Sequence, residues 1–354
     1  MIDARGASRE QALVHSYNGM ELYHRVGCSA PAVAGMDEGM ALRILVTGSS
    51  GFIGSAVTSA LANAGHVVRG ASRRRSALPD AAGVEWMELP DLEGTVDWSP
   101  LLEGIDTVIH LAAIAHRSHI DSGQYARANR LATANLVQAC ARHQIKHLIF
   151  MSSISAQAGS AADHVITEQD EPWPITAYDR AKLAAEEEIR RAGVPFTILR
   201  PVIVYGPGAK ANIAMMIRIA ALPVPLPFGS FKNRRSLLSI DNLVQAVMVC
   251  LDNPQAINRT FIVCDPEPIT LADMIATLRE AVGRPPNLIP VPPLAVRALV
   301  IAAGRQSLWD RIGRELVASS ADLQKVGWCP RVATREGLRA MMQAAVSQSQ
   351  GSSR

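Results

Sequence analysis

Tyr178 and Lys182 form a YxxxK pair in a segment rich in helix-forming residues. Residues four apart lie on one face of a helix, so the two side chains can act together. A nearby ammonium stabilises a phenolate, and we expect Lys182 to lower the pKa of Tyr178 and make it a general acid and base. Ser153 stands 25 residues earlier, at the end of the apolar run FMSSIS, where its hydroxyl would orient a carbonyl or alcohol. The three residues together predict acid–base chemistry at an oxygen-bearing carbon, whereas YxxxK alone is more often a solvated helix face.

A glycine-rich turn, VTGSSGFIG at 46–54, lies between the apolar run RILV and a helix-forming segment. In such a unit the glycines permit a tight turn, close approach of the backbone to a pyrophosphate, and close packing of the helix. The N–H groups at the start of the helix then face the anion. We therefore predict a dinucleotide site, while a loop of small residues is the alternative. The predicted cofactor-binding residues of the turn are Gly48, Ser50, Gly51, Phe52, Ile53 and Gly54.

The second predicted strand, HVVRGAS, indicates which dinucleotide binds. NAD sites of this kind place an acidic residue here, bonded to the adenosine ribose 2′-hydroxyl. This strand instead ends in Ser72 followed by Arg73, Arg74 and Arg75. Because forked guanidinium donors suit a 2′-phosphate, we favour NADP over NAD. A solvated basic loop is the alternative reading of the arginines.

The elements that must position these residues form an alternating pattern from residue 42 onward. Strand-length apolar runs, LRILVT, HVVRGA, VEWMEL, DTVIHLAA, HLIFMSS and FTILRPVIVYG, alternate with helices predicted at 52–64, 124–143 and 176–193. The alternation predicts an α/β fold with a doubly wound parallel sheet covered on both faces. Proline-rich passages at 221–229 and 283–293 mark a smaller C-terminal α/β region, while 236–264 is predicted to return to the main sheet as a helix and a strand.

Four further local features carry predictions of their own. The run at 186–188, three glutamates, is typical of a solvated helix face. Asp241 is expected to cap the helix that follows it. The apolar segment 294–304 favours a core or subunit-contact helix over a membrane-surface helix. His116 and His119 form an HxxH pair without a third ligand, so no metal site is predicted.

Composition excludes several classes of protein. The 354 residues are 48% hydrophobic with a formal net charge of +3, which is typical of a globular protein of one or two domains. The basic residues are scattered, so no nucleic-acid partner is expected. Five widely spaced cysteines without a CxxC pair indicate thiols in a reducing compartment, and we expect a cytoplasmic protein. No apolar run approaches the roughly 20 residues that span a bilayer, so no stable membrane insertion is expected.

Taken in order, the motifs resemble those of an extended short-chain dehydrogenase/reductase, in the NAD-dependent epimerase/dehydratase family that acts on nucleotide sugars. The resemblance covers about residues 42–346. It rests on the TGxxGxxG turn, LPDLEG at 89–94, HLAA at 110–113, NRLATAN at 129–135, Ser153, the YxxxK pair, RPVIVYGPG at 200–208 and RRSLLSIDN at 234–242.

The resemblance implies roles for individual residues. Tyr178 would exchange the substrate proton with help from Ser153, while Lys182 bonds the nicotinamide ribose and a hydride passes between the substrate carbon and nicotinamide C4. The substrate contacts would be Asn212 at the sugar and Arg235 at the diphosphate, with a surface ion pair as the alternative for Arg235. Further implied cofactor contacts are Asp91, Leu92, Leu111, Ala112, Ala113, Arg200 and Pro201.

The resemblance also implies a division of the chain. Residues 41–206 and about 236–265 would form a Rossmann-type dinucleotide-binding domain, and about 207–235 with 266–346 a substrate-binding region. Residues 1–40 are expected to be a disordered leader and 347–354 a disordered tail. Family members commonly form homodimers through a four-helix interface, here the helices at 124–143 and 176–193.

The reaction is less tightly determined than the site. Family dehydratases resemble one another in carrying an Asp-Glu pair after the active-site Ser or Thr, where this chain has Ile154 and Ser155, so dehydration is disfavoured. The arginines at 73–75 favour a reductase that draws on NADPH, such as the reductases of UDP-4-keto-6-deoxy-N-acetylhexosamines in surface-polysaccharide synthesis. A UDP-glucose 4-epimerase-like activity is the main alternative. An NADP-dependent reductase of a steroid or flavonoid-like carbonyl, and a non-catalytic NADP sensor, are further ones.

Overall fold

The computed structural model describes residues 41–73, 83–94, 96–114, 122–209, 212–304, 306, 309 and 313–351. The predicted leader, residues 1–40, lies outside this part of the chain, as do Arg74, Arg75, His116 and His119. The described strands are β1 (Arg43–Thr47), β2 (Val67–Ser72), β3 (Val84–Glu88), β4 (Thr107–His110), β5 (His147–Met151), β6 (Val165–Ile166), β7 (Phe196–Pro201), β8 (Ile203–Tyr205), β9 (Arg234–Arg235), β10 (Leu237–Ser239), β11 (Arg259–Val263), β12 (Ile269–Thr270) and β13 (Val317–Ala318).

The described helices are α1 (Phe52–Asn63), α2 (Ser99–Leu102), α3 (Ser122–Tyr125), α4 (Ala132–Arg142), α5 (Ser155–Ala158), α6 (Ala177–Arg191), α7 (Asn212–Ala220), α8 (Ile240–Asp252), α9 (Leu271–Glu280), α10 (Pro293–Ala302), α11 (Ala321–Lys325) and α12 (Thr334–Gly351). A π-helical stretch, Ala126–Leu131, joins α3 to α4, and a 3₁₀ turn, Pro254–Ala256, precedes β11. None of the helices in the described ranges has the length and apolar character needed to cross a bilayer.

The central sheet confirms the predicted fold class. Seven described strands are ordered β11-β7-β5-β4-β1-β2-β3, and every neighbouring pair is parallel. Strands of this kind are buried on both faces, and β1 and β5 accordingly read as nearly continuous apolar runs. The strand order reverses between β1 and β4, which opens a crevice at the carboxyl ends of these two strands.

Each face of the sheet is covered by two main helices. Val57 and Leu61 of α1 pack with Leu243 and Val247 of α8 in one apolar cluster. On the opposite face the cluster holds residues of α4 and α6. Because α6 carries the YxxxK pair, its packing against the sheet fixes where the pair stands relative to the crevice.

A third apolar cluster lies in the C-terminal part of the chain and includes Tyr205, Phe231, Leu278 and Trp309. Asn242, which is fully buried at the start of α8, ties this part to the main sheet. Its amide donates to Asp265 at 2.7 Å and to the carbonyl of Val332 at 2.8 Å, while its oxygen accepts from two backbone N–H groups at 331 and 332. The SIDN segment is therefore a joint between α8 and the chain before α12.

Three local predictions are corrected by the structure. Asp241 is not the cap of α8, because the Ser239 hydroxyl accepts from the Asp241 N–H and occupies the capping position. The predicted disordered tail is helical as far as Gly351, because α12 continues through Ser347 and each residue added to an existing helix gains a hydrogen bond. Of the two alternatives predicted for α10, the core helix is wrong, because Val296 is its one buried residue, and the subunit contact stays a prediction.

Candidate active site

The glycine turn between β1 and α1 has a backbone that larger residues could not adopt. Gly48 has φ +72°, in the left-handed region that favours glycine. A Cβ at Gly54 would lie 2.1 Å from the Gly48 carbonyl oxygen, so the start of α1 packs directly on the turn. Gly51 occupies the capping position of α1 without a side-chain cap. The first N–H groups of this 12-residue helix therefore face the crevice.

Polar side chains fix the backbone strip that forms the floor of the crevice. The Thr47 hydroxyl accepts from the N–H groups of Leu111 and Ala112, both at 3.2 Å. Asn129 accepts from the Ile114 N–H and donates to the Ile114 carbonyl, both at 2.9 Å. His110, 2.7 Å from Thr47, is neutral at physiological pH because burial lowers its pKa to about 3.

The crevice is a cavity of about 730 Å³. Nine of the predicted cofactor residues line it, namely Gly48, Ser50, Gly51, Arg73, Asp91, Leu92, Leu111, Ala112 and Ala113. Phe52, Ile53 and Gly54 form the first turn of α1 directly behind it. A glycine cradle that a Cβ would fill, a helix N-terminus and a long cavity together fit a dinucleotide.

Tyr178 and Ser153 meet at the same edge of the sheet. Thr176 and Asp179 begin α6 with a reciprocal capping box, which fixes the orientation of the turn that holds Tyr178. The Tyr178 ring is buried edge-on against Tyr125, with 5.8 Å between centroids, and its hydroxyl is hydrogen-bonded to Ser153. The Ser153 oxygen accepts from the hydroxyl and the N–H of Ser155, at 3.0 and 3.2 Å. The hydroxyl of Ser155 thus leaves the Ser153 proton free to be donated onward.

The predicted lowering of the Tyr178 pKa is wrong for this arrangement. Burial, followed by the charge of Asp179, raises the pKa of Tyr178 above its ordinary value, and the bond with Ser153 only partly opposes this. The Lys182 ammonium instead donates to the Met151 carbonyl at 2.8 Å and lies over the Phe150 ring. Burial lowers the pKa of Lys182 to about 8, against the opposing charge of Glu186. Tyr178 is therefore a phenol at neutral pH.

A buried carboxylate, Glu186, lies one turn beyond Lys182. Its oxygens accept from Arg200 at 2.9 and 2.6 Å and from Arg190 at 2.9 Å, and the Ser152 hydroxyl donates to it as well. Burial alone would raise the pKa of Glu186, but the bonds and charge of Arg200 hold it below the ordinary value. The prediction that 186–188 is a solvated face is wrong at Glu186, because the residue shares the inward face of α6.

Three predicted site residues, Arg200, Pro201 and Arg235, do not line the described cavity. The Arg200 side chain is 4% exposed, and its guanidinium bonds Glu186 and does not line the cavity. The predicted cofactor contact is therefore not made by this side chain. The Pro201 carbonyl accepts from the Ile154 N–H at 2.9 Å. Arg235 is buried and donates to the carbonyls of Arg314 and Ser160, at 3.0 and 3.2 Å. The side chain of Asn212, the first residue of α7, lies outside the described part.

Thr47, Asn129 and Glu186 lie in segments that the sequence analysis singled out, but their supporting roles were not predicted. Glu186 could have been found from spacing, because it follows Tyr178 and Lys182 at intervals of four and so shares their helix face. Among the residues that the structure describes, no group of three or more His, Cys, Asp or Glu side chains could hold a metal ion.

Comparison with known proteins finds one family model, relatives of two kinds and similar solved structures. A family model described as "NAD dependent epimerase/dehydratase family" matches residues 44–264. The chain is 32% identical over 320 residues to a UDP-glucose 4-epimerase of Vibrio cholerae, covering 87% of this chain and 97% of the relative. It is 27% identical over 261 residues to a 2-alkyl-3-oxoalkanoate reductase of Stenotrophomonas maltophilia, covering 69% and 77%.

Among solved structures, MoeE5 in complex with UDP-glucuronic acid and NAD is similar with a TM-score of 0.70 at 26% identity, covering 86% of this chain and 99% of that chain.

The buried ion pair yields a stability prediction. Glu186→Gln leaves the Arg200 guanidinium buried without its charge partner, and we expect a loss of about 3 kcal/mol in the free energy of unfolding at pH 7. Urea unfolding measures it. Glu187→Gln is the matched control, because the Glu187 side chain is 49% exposed and pairs only with Arg191, so we expect a loss below about 1 kcal/mol.

The same pair has a pH signature. The pKa of Glu186 is lower in the folded chain than in the unfolded one, so its contribution is fully present above the ordinary carboxyl pKa of 4.5. This contribution to the free energy of unfolding is lost as the pH falls through the pKa that Glu186 has in the folded chain. The gap in unfolding free energy between wild type and Glu186→Gln should therefore narrow below pH 4.5; a gap that is constant with pH, or equal to that of Glu187→Gln, contradicts the account.

Proposed function

The chain belongs to the NAD-dependent epimerase/dehydratase family, and we propose that it interconverts the C4 epimers of a UDP-hexose. The observation that carries the proposal is the meeting of Ser153 and Tyr178 next to Ile114, a residue that lines the cavity built around the glycine turn. The 32% identity to a UDP-glucose 4-epimerase over nearly the whole chain supports the choice of reaction and substrate class.

The chain offers a place for each part of the cofactor. The turn at Gly48 and the N-terminus of α1 would receive the pyrophosphate, Asp91 and Leu92 the adenine, and Leu111 to Ala113 the middle of the molecule. When bound, the nicotinamide supplies an acceptor and donor of hydride at the C4 carbon of the sugar. The chain itself must hold the sugar, move the hydroxyl proton and exclude water.

Tyr178 and Ser153 would move the proton on the C4 oxygen of the substrate. The reaction begins at a C4 hydroxyl, so Tyr178 must first lose its proton to solvent, which its burial makes costly. The phenolate would then take the hydroxyl proton as the hydride leaves C4, and the phenol so formed would return the proton to the C4 oxygen when the hydride comes back. The Ser153 hydroxyl, held by Ser155, can donate to the same oxygen or to the phenolate. Lys182, buried and one turn from Tyr178, would bond the nicotinamide ribose, and its positive charge would offset part of the cost of forming the phenolate, although the pKa of Tyr178 stays raised overall.

Dehydration is disfavoured by the composition of this edge of the site. It requires an acid and a base beyond Tyr178, to eliminate water across C5 and C6. The residues that follow Ser153 are Ile154, which is buried, and Ser155, whose hydroxyl is bonded to Ser153. Neither side chain can ionise in the required range.

Net reduction of a 4-keto sugar is the second candidate, because Arg73 lines the cavity. β2 ends in Ser72 and presents no carboxylate for the ribose of NAD, while the Arg73 fork suits a 2′-phosphate. NADPH is a cofactor drawn from a pool and consumed, which fits a reductase. The 27% identity to a 2-alkyl-3-oxoalkanoate reductase extends this candidate to non-sugar carbonyls.

Diphosphate binding by Arg235, sugar positioning by Asn212, a homodimer formed through α4 and α6, and a cytoplasmic location remain predictions. Leu131, which is half-exposed next to α4, is compatible with a helix-to-helix contact there.

A panel of UDP-sugars tests the reaction. UDP-glucose, UDP-N-acetylglucosamine and UDP-glucuronic acid, each with NAD, should give the C4 epimer of at least one sugar without net change in absorbance at 340 nm. Tyr178→Phe should lower turnover by about 100-fold or more, since it removes the transferable proton. Tyr125→Phe, a second buried tyrosine in ring contact with the first, is the matched control and should keep turnover within a few-fold.

Three results separate the candidates. Stoichiometric oxidation of NADPH with a 4-keto sugar and no epimer formation would replace epimerisation by reduction. NADPH oxidation with a 3-oxoacyl substrate alone would replace the sugar. Unchanged turnover in Tyr178→Phe would remove the assigned acid and base.

The cofactor preference has its own test. Arg73→Ala should weaken NADP binding about tenfold or more, because a charge-assisted fork to the 2′-phosphate is lost, and should change NAD binding less than threefold. Fluorescence titration of both dinucleotides measures it. Arg142→Ala, at the far end of α4, is the control and should alter neither. Equal losses for the two dinucleotides would contradict a 2′-phosphate contact.

A further inference from the structure

Helix α10 exposes an apolar face. Leu294 and Leu299 are each 72% exposed and Ile301 is 41% exposed. Val296 and Val300, which pack toward the C-terminal cluster, lie on the opposite side of the helix. Seven of the ten residues of α10 are exposed, and Arg297 is the one charged residue among them. The seven are Leu294, Ala295, Arg297, Ala298, Leu299, Ile301 and Ala302. A helix this apolar normally has a covering partner.

Two loops extend this face. The segments 221–229 and 284–292 are paired through their backbones, with Ile289 donating to Leu226 at 2.8 Å and Gly229 donating to Ile289 at 3.0 Å. Three apolar residues of these loops are exposed to solvent, Leu222 at 45%, Val224 at 48% and Ile289 at 47% of their surface. The second loop leads directly into α10. We call the exposed residues Leu222, Val224, Ile289, Leu294, Leu299 and Ile301 the apolar surface; a grouping of this kind marks a contact site.

The segments that carry the apolar surface have an excess of positive charge. Residues 207–240 and 281–309 contain no Asp or Glu, although Glu280 and Asp310 directly flank the second segment, and they contain Lys210, Arg218, Lys232, Arg234, Arg235, Arg284, Arg297 and Arg305. Arg297 of α10 is exposed, Arg284 is exposed and bonds the Ala221 carbonyl at the base of the first loop, and Arg234 pairs with Glu315. An apolar surface with an excess of arginine is complementary to an anionic, partly apolar partner.

We propose that the apolar surface is a peripheral docking site for a bilayer that contains anionic phospholipids. The leucines and isoleucines would enter the boundary between headgroups and acyl chains, while Arg297 and its basic neighbours meet the phosphates. The helix lies in the interface and does not cross it, in agreement with the lack of a spanning helix among the described ones. A second copy of this chain fits less well, because a two-fold contact through α10 would bring Arg297 of both copies to the same apolar surface.

Vesicle sedimentation tests the proposal with the full chain. We expect binding to vesicles of phosphatidylcholine with 30% phosphatidylglycerol to be at least tenfold tighter than to phosphatidylcholine alone, and to weaken in 0.5 M salt because the charges are screened. Leu294→Asn/Leu299→Asn should weaken binding at least tenfold and Arg297→Gln several-fold. Ile257→Asn is the matched control, since Ile257 is 37% exposed before β11 on the main sheet, and it should bind as the wild type does.

Four outcomes would overturn the proposal. They are no sedimentation with anionic vesicles, equal binding to both vesicle types, wild-type binding by the double variant, and loss of binding in the Ile257→Asn control. Self-association that the double variant abolishes, without vesicle binding, would assign the surface to a second copy instead. The experiment measures bound protein and not turnover, so its failure leaves the proposed sugar chemistry untouched.

Discussion

The ion pair between Glu186 and Arg200 is the constraint on which the candidate site depends. It is buried, it is bidentate, and it joins α6 to β7, while the same carboxylate accepts from Ser152 at the end of β5. Three elements that contribute catalytic or supporting residues are thereby locked to one another. A pair of this kind is strongly destabilising when one partner is lost, because the other charge stays buried. Its value here is positional: Ser153 follows Ser152, and Tyr178 lies two turns before Glu186.

A second, uncharged network shapes the other half of the site. Thr47 bonds the N–H groups of Leu111 and Ala112, and Asn129 bonds the N–H and carbonyl of Ile114. These bonds fix the backbone strip beside the glycine turn. The strip directly follows β4 and the turn directly follows β1, the two strands between which the sheet order reverses. The long cavity therefore follows from topology, and the polar side chains only fix its floor.

The general architecture could be predicted from the sequence because it rests on local patterns. Strand-length apolar runs, and a glycine turn between a strand and a helix, are determined by residues close together in the sequence. The structure has the predicted parallel sheet, with that turn at the point where the strand order reverses. The roles of Glu186 and α10 could not be read in the same way. Spacing places Glu186 on the helix face of Tyr178 and Lys182, but it does not show that this carboxylate meets Arg200 on a distant strand. An apolar helix likewise does not show whether the rest of the chain covers it. The raised pKa of Tyr178 likewise depends on burial by neighbours remote in the sequence, such as Tyr125.

The central claim is that the C4 carbon of a UDP-hexose is oxidised and reduced within one closed site, with Tyr178 exchanging only the oxygen-bound proton. The most direct test is to supply the best substrate of the UDP-sugar panel with deuterium at C4, in ordinary water, and to analyse the epimer by mass spectrometry and NMR. The account predicts that the epimer keeps its deuterium at C4, because that hydrogen never passes through a group that exchanges with solvent. An epimer with hydrogen from water at C4 would contradict the account.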